Sequence, residues 1–157
     1  MASRKIEDCV IALQDKFFLF DLRMKAVGIP FLITCTARTV KEQIAFYAQG
    51  RETLKQTNAL RKMAGLPPIS PEENARKVTW TLNSKHLVDL DDGNPGNDKS
   101  RAFDIVITRN GKPCWDVKAD VNQNQIADYV EAGRIGKSVG LIWGGNFRTP
   151  DMPHFEI

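Results

Sequence analysis

Arg101-Ala102-Phe103-Asp104-Ile105-Val106-Ile107-Thr108, closed by Asn110-Gly111, is the stretch on which the fold turns. Its apolar and β-branched residues ahead of a turn dipeptide predict a buried strand over 102–108. Side chains alternate across a strand, so Asp104 is expected on the face opposite Phe103 and Ile105. Buried neighbours would hold that carboxylate rigidly.

Working outward, the other elements follow from periodicity and punctuation. Pro30 introduces Phe31-Leu32-Ile33-Thr34-Cys35-Thr36, a second buried strand, and Arg38 then leads into a helix through Glu42, Ile44 and Tyr47 to Gly50. Ser3 precedes Ile6, Val10, Leu13, Phe17 and Met24, which predicts an opening amphipathic helix capped by Ser3 and stopped at Gly28. Residues 51–63 read as polar helix or loop, and Pro67, Pro68 and Pro71 make the next stretch a surface connection. Residues 77–82 alternate enough for a short strand that delivers Ser84 and His86. Downstream, 122–139 places Ile126, Tyr129, Val130 and Ile135 on one helical face before Gly140. Residues 141–143 and 154–157 read as closing strands around Gly144-Gly145. The expectation is an α+β fold: one domain over 1–157 with a small central antiparallel sheet flanked by helices. Residues 1–28 would pack on it as a helix, and 87–99 would form an acidic loop insertion.

Composition limits the function classes. At 157 residues the chain has room for one core without staples, and 42% hydrophobic with 26% charged residues is ordinary for a folded protein. The net charge of +3 is spread along the chain rather than gathered in a stripe, which argues against a nucleic-acid partner. Cys9, Cys35 and Cys114 are far apart and form no C-x-x-C pair, so they read as reduced thiols rather than a disulfide framework or a cysteine zinc site. The apolar stretch Phe17 to Phe20 is short and flanked by charges, unlike a signal peptide or a membrane anchor. The expected protein is made in the cytoplasm and needs something other than a leader to let it out.

The chain has two histidines, each near a carboxylate. Ser84-Lys85-His86 precedes Asp104, and Asp151-Met152-Pro153-His154 lies at the end. His86, Asp104 and His154 together supply two imidazoles and one carboxylate, a set that suits zinc and leaves a fourth tetrahedral position open. An open position separates a catalytic zinc from a structural one. A lone histidine is more often structural than a ligand, so the reading depends on the motifs around both.

Those motifs fall in one order: a serine two residues before the first histidine, an Ala-x-Asp entering a strand, Trp143-Gly144-Gly145, and a carboxylate three residues before the second histidine. That order resembles the zinc D,D-carboxypeptidase and L-alanyl-D-glutamate endopeptidase family, the M15 or VanY-like peptidases, and among them the small phage endolysins. The family signature is Ser-x-His-x-x-Gly-x-Ala-x-Asp followed by a C-terminal Glu-or-Asp-x-x-His. The likeness runs from about Ile29 to Ile157 and includes Arg38 with Gln43 five residues on, then Tyr47-Ala48-Gln49-Gly50. It implies zinc ligation by His86, Asp104 and His154, Asp151 as general base, and an electrophilic, substrate-orienting Arg38. Ser84 and Gln43 become candidate substrate-binding residues. The plainer readings make Arg38 a surface ion pair, Ser84 the shaper of the turn before His86, and Trp143 a core residue.

The resemblance further implies a peptidase acting on the peptidoglycan stem peptide at the L-alanyl-D-glutamate bond. Two rivals remain: a D-alanyl-D-alanine carboxypeptidase, and a non-catalytic metal-binding module whose ligands only tie the C-terminus to the sheet. The expected enzyme is a monomer that reaches the cell wall or periplasm through a membrane lesion made by a holin-type partner. A phage setting and a thin Gram-negative wall fit a small free enzyme without a wall-binding module.

The chain departs from the signature between His86 and Asp104, where eleven extra residues intervene and the glycine becomes Ser100. Asp89, Asp91, Asp92 and Asp98 in that loop rival Asp104, which is preferred because a strand holds it. Asp89-x-Asp91-Asp92-Gly93-Asn94 also has the oxygen-rich character of a Ca2+ loop, although position twelve is Ser100 rather than glutamate. Its other reading is a solvated, mobile lid.

Overall fold

The computed structural model describes residues 2–157. Its strands are β1 (Phe31–Cys35), β2 (Arg38–Thr39), β3 (Leu87–Val88), β4 (Ala102–Arg109), β5 (Lys112–Cys114), β6 (Ile142–Trp143) and β7 (His154–Glu156). Its helices are α1 (Ile11–Ala26), α2 (Val40–Ala48), α3 (Leu54–Met63), α4 (Pro71–Asn74) and α5 (Asp128–Ser138). The main sheet runs β1-β4-β7-β6 with β5 as the hairpin partner of β4, and every pair in it is antiparallel. The fold is thus α+β, with the expected small antiparallel sheet and helices around it. The β4–β5 turn is made by Asn110 and Gly111, both at positive φ, which these two residue types accept at low cost.

One face of β4 builds the core. Phe103, Ile105 and Ile107 are buried with Phe155 of β7 beneath Leu13, Phe17, Phe20 and Met24 of α1. The Phe103 and Phe155 rings stack at 5.4 Å, and Phe20 lies 4.9 Å from Phe155. Each such ring contributes roughly 1.5–3 kcal/mol by leaving water. On α5, Gly133 and Gly136 let the helix lie directly on Trp143 and Phe155, where an added Cβ would meet ring atoms at 2.3 and 2.5 Å. With this face filled, the opposite face of β4 and β7 is left to carry Asp104 and His154.

Several local expectations need correction. The opening helix begins at Ile11, not Ser3, because the preceding residues have other partners: Ser3 exchanges backbone bonds with Thr36 and Ala37, and Cys9 bridges to Ser100. The later helix begins at Asp128 rather than 122, since the carboxylates of Asp120 and Asp128 accept from the backbone of Asn124, Gln125 and Val121 and hold a loop instead. Residues 77–82 form no strand; Gln43 and Arg51 side chains take up their backbone groups. Residues 54–63 resolve as helix α3 with a Thr53/Gln56 capping box. Leu87 and Val88, expected in the loop, pair with β2, and the loop's far end is pinned where Ser100 donates its backbone N–H to Asp8. Among the described residues, no helix is long and apolar enough to cross a membrane.

Candidate metal centre

The β4–β7 ladder sets Asp104 directly opposite His154. Residues facing each other across an antiparallel pair have Cβ atoms about 5 Å apart, so the register alone brings these side chains together. His86 arrives from a turn: the Ser84 hydroxyl accepts the His86 backbone N–H at 3.2 Å, and the His86 carbonyl accepts from Arg38. Both histidines are buried, and Asp104 is 17% exposed at its side chain.

Three atoms converge there. His86 Nε2 is 3.0 Å from Asp104 Oδ1, His154 Nδ1 is 2.9 Å from the same oxygen, and the two nitrogens are 3.2 Å apart. The other nitrogen of each ring is engaged: His86 Nδ1 donates to the Thr36 carbonyl at 2.7 Å, and His154 Nε2 lies 2.8 Å from Glu156 Oε2. Two neutral imidazoles so arranged turn lone pairs toward an acceptor-only carboxylate. Three electron-rich atoms in a buried pocket call for a cation. Ligands at zinc bond lengths in tetrahedral array are roughly 3.3 Å apart, close to the spacing found, so the donor set fits zinc.

The electrostatics show the same demand. Burial opposes a charge on His86, but its hydrogen bond to Asp104 outweighs this and raises its pKa to about 10. His154, likewise buried, is raised to about 9 by hydrogen bonds to Asp104 and Glu156. Burial pushes the Asp104 carboxyl up, yet the two histidines hold it well below the usual carboxylate range. In the metal-free chain, protons fill the place of the cation.

The remaining residues arrange themselves around a cleft of about 710 Å³. Asp151 lines it, and protein packed around its carboxyl together with the charge of Asp104 raises its pKa. The loop carrying Asp151 is braced by Gly144, whose carbonyl accepts the Asp151 N–H at 2.9 Å and where a Cβ would collide with the Asp151 carbonyl. Trp143 is a buried core residue that donates its indole N–H to Met152, so the Trp-Gly-Gly motif shapes this loop. Arg38 is no surface ion pair: it reaches Asp104 at 3.6 Å, donates to the Cys35 sulfur at 3.2 Å and to Gln43 Oε1 at 3.4 Å.

Gln43 is placed differently from its expected substrate contact. It is 1% exposed, lies behind the cleft, and spends its amide on Thr79, Thr81 and Arg38. Ser84 lines the cleft, and its hydroxyl shapes the turn before His86. In the acidic loop, Asp89 and Asp92 accept from Asp91, Asn94 and Asn97 of the loop itself, and among the described residues no three of its carboxylates close on one point.

Two residues beside the centre were not anticipated. Cys35 lies opposite Asp104 across β1 and β4, and its sulfur, His86 and Asp104 have donor atoms within 4.8 Å of one another. The sulfur lies 3.6 Å from His86 Nδ1, a nitrogen already bonded to Thr36, whereas Nε2 meets both Asp104 and His154, so the set with His154 is the better formed. Glu156 was legible in hindsight as the i+2 neighbour of His154 on one strand. Trp80 and Trp115, both largely exposed, stand at the cleft's rim with Phe147.

Comparison with known proteins agrees with this geometry. Residues 98–157, which carry Asp104, Asp151 and His154, match the peptidase M15 family model described as D-alanyl-D-alanine carboxypeptidase. Peptidoglycan L-alanyl-D-glutamate endopeptidase CwlK of Bacillus subtilis (strain 168) is 29% identical over 132 residues, covering 83% of this chain. The chain spans 62% of that relative's length. The crystal structure of the Serratia marcescens L-Ala D-Glu endopeptidase ChiX shares the fold with a TM-score of 0.51 at 18% identity, covering 100% of this chain and 88% of that one. Zinc is typical of the M15 family. The segment that closes the centre therefore matches the M15 family model, and most of the chain is similar to one L-alanyl-D-glutamate endopeptidase.

Proposed function

We propose that the chain is a zinc-dependent, phage endolysin-type peptidase that hydrolyses the L-alanyl-D-glutamate bond of the peptidoglycan stem peptide. The observation that carries it is the triangle of His86 Nε2, Asp104 Oδ1 and His154 Nδ1 opening on the same cleft as Asp151 and Arg38. The named activities of the relative and of the structural neighbour favour the endopeptidase over the carboxypeptidase.

Zinc, held by those three residues, would supply a Lewis acid for the scissile carbonyl and a more acidic water. Arg38, fixed by Cys35 and Gln43, orients the carbonyl and meets the negative charge that grows on its oxygen, a contribution of about 3 kcal/mol. Asp151 takes a proton from the attacking water as the new C–O bond forms. It returns that proton to the amine of D-glutamate as the C–N bond breaks, an effect of roughly 10²- to 10⁴-fold. Its raised pKa brings it nearer the working pH, where one group can both accept and release a proton. The enzyme would act as a monomer in the wall or periplasm, reached through a lesion made by a holin-type partner.

Digestion of purified peptidoglycan tests the reading. New D-glutamate amino termini, identified by mass spectrometry, are expected. Release of free D-alanine would transfer the assignment to the carboxypeptidase, and no new termini from zinc-loaded protein would leave a non-catalytic module.

A further inference from the structure

We propose that Glu156 is a positioning residue for the metal centre: its carboxylate accepts the Nε2–H of His154 and so fixes the ring in the tautomer that aims the Nδ1 lone pair at the metal. The inference rests on the zinc reading above and concerns a carboxylate to which that reading gives no work.

The strand explains the placement. Residues two apart share a face, so Glu156 stands beside His154 while Phe155 between them is fully buried on the other side. β7 is paired on both flanks at this residue, with Glu156 opposite Ala102 of β4 and Ile142 of β6. Its backbone therefore has little freedom, and the 2.8 Å contact to Nε2 is held by the sheet rather than by a flexible loop. The Glu156 side chain is 16% exposed, and among the described residues its carboxylate hydrogen-bonds to His154 alone.

A neutral imidazole carries one N–H, so an acceptor at Nε2 places the proton there and frees Nδ1. An anionic acceptor also makes the free nitrogen a stronger donor to a metal. His86 has the reverse arrangement with a neutral acceptor, since its Nδ1 donates to the Thr36 carbonyl and its Nε2 faces the centre. The two ligands are thus oriented by groups of different charge. If Glu156 merely tied the strand end, its removal would alter stability and leave metal affinity alone.

The test measures zinc affinity by competition with a chromophoric chelator for the parent chain, Glu156→Gln and Glu156→Ala. It adds the exchangeable imidazole proton spectrum of each zinc-loaded protein. Glu156→Ala is expected to bind zinc 10- to 100-fold more weakly and to lose the slowly exchanging Nε2 proton signal of His154. Glu156→Gln keeps a neutral acceptor, so it should keep the proton signal and lose less affinity than the alanine variant. Zinc affinity equal to the parent's in Glu156→Ala, or equal losses in both variants, would overturn the proposal. Should the alanine variant fail to fold, Glu156→Gln decides alone: weaker zinc with the proton retained supports the role, and unchanged zinc contradicts it. A parent chain that binds no zinc defeats the underlying reading instead, and that outcome shows in the parent before any variant is compared.

Discussion

The β4–β7 ladder and the connection from Ala75 to Lys99 each supply one side of the candidate metal centre, and they hold their side chains by different means. Asp104 and His154 are fixed by strand register, with Phe103 and Phe155 driven into the core on the opposite face. His86 is fixed by scattered bonds: the Ser84 hydroxyl on its N–H, Arg38 on its carbonyl and Thr36 on its ring. A ladder transmits position through backbone geometry that any sequence of the right pattern adopts. A turn held by single side chains depends on each of them. Function should therefore be most robust where the sheet carries it and most fragile to distant changes on the wall formed by residues 75–86.

The largest expected effect lies at the end of the ladder. Asp151→Asn keeps the shape of the loop braced by Gly144 and removes the proton acceptor. Hydrolysis should fall roughly 10²- to 10⁴-fold in single-turnover assays while zinc content is unchanged. Loss of zinc along with activity would make Asp151 part of the ligand set.

On the other side, Gln43→Ala removes the amide that holds both Arg38 and the Thr79–Thr81 wall, although Gln43 does not face the cleft. A misplacement of this kind should lower kcat/KM by roughly tenfold to a hundredfold with zinc affinity preserved. Parent-like kinetics would show that the wall does not need this brace.

The two histidines also make stability depend on pH. Their metal-free pKa values, about 10 for His86 and about 9 for His154, stand above the unfolded value of about 6.5. Their contribution is complete below pH 6.5 and is lost as pH rises through 9 to 10, because across that window the folded chain holds protons that the unfolded chain has already released. Chelator-treated protein should accordingly melt at lower temperature at pH 10 than at pH 7. With zinc bound the ligands are already deprotonated, and the decline should shrink. A flat profile in the metal-free protein would mean that Asp104 does not hold these protons.

The smallest effect belongs to the acidic loop. Asp92 bonds only within its own turn, to Asn94 and Asn97, so Asp92→Ala should leave melting temperature, zinc content and calcium response unchanged in parallel titrations. A calcium-dependent rise in melting temperature that disappears in this variant would reinstate the loop as an ion site.

This difference between regions also sets what was legible beforehand. The 102–108 strand, its Asn-Gly turn and the alternation that separates Asp104 from Phe103 follow from period and turn chemistry, which are local. The closing strand 154–157 was readable for the same reason, and with it the pairing of one carboxylate and one imidazole. The segment 77–82 was mistaken for a strand because its alternation is real, but no neighbouring edge is offered to it and Gln43 and Arg51 satisfy its backbone instead. Ser3 looked like a helix cap, yet long-range bonds to Thr36 and Ala37 outbid a local one. Cys35 entered the centre through the irregular register between Ile33 and Cys35, which no sequence pattern announces.

The position of a bound metal decides between these outcomes. A crystal grown with zinc and measured at the zinc absorption edge should give one anomalous peak about 2.0–2.2 Å from His86 Nε2, Asp104 Oδ1 and His154 Nδ1, with no protein atom in the fourth position. A peak bound elsewhere, or a site closed by Cys35 or Glu156 as a fourth ligand, would contradict it.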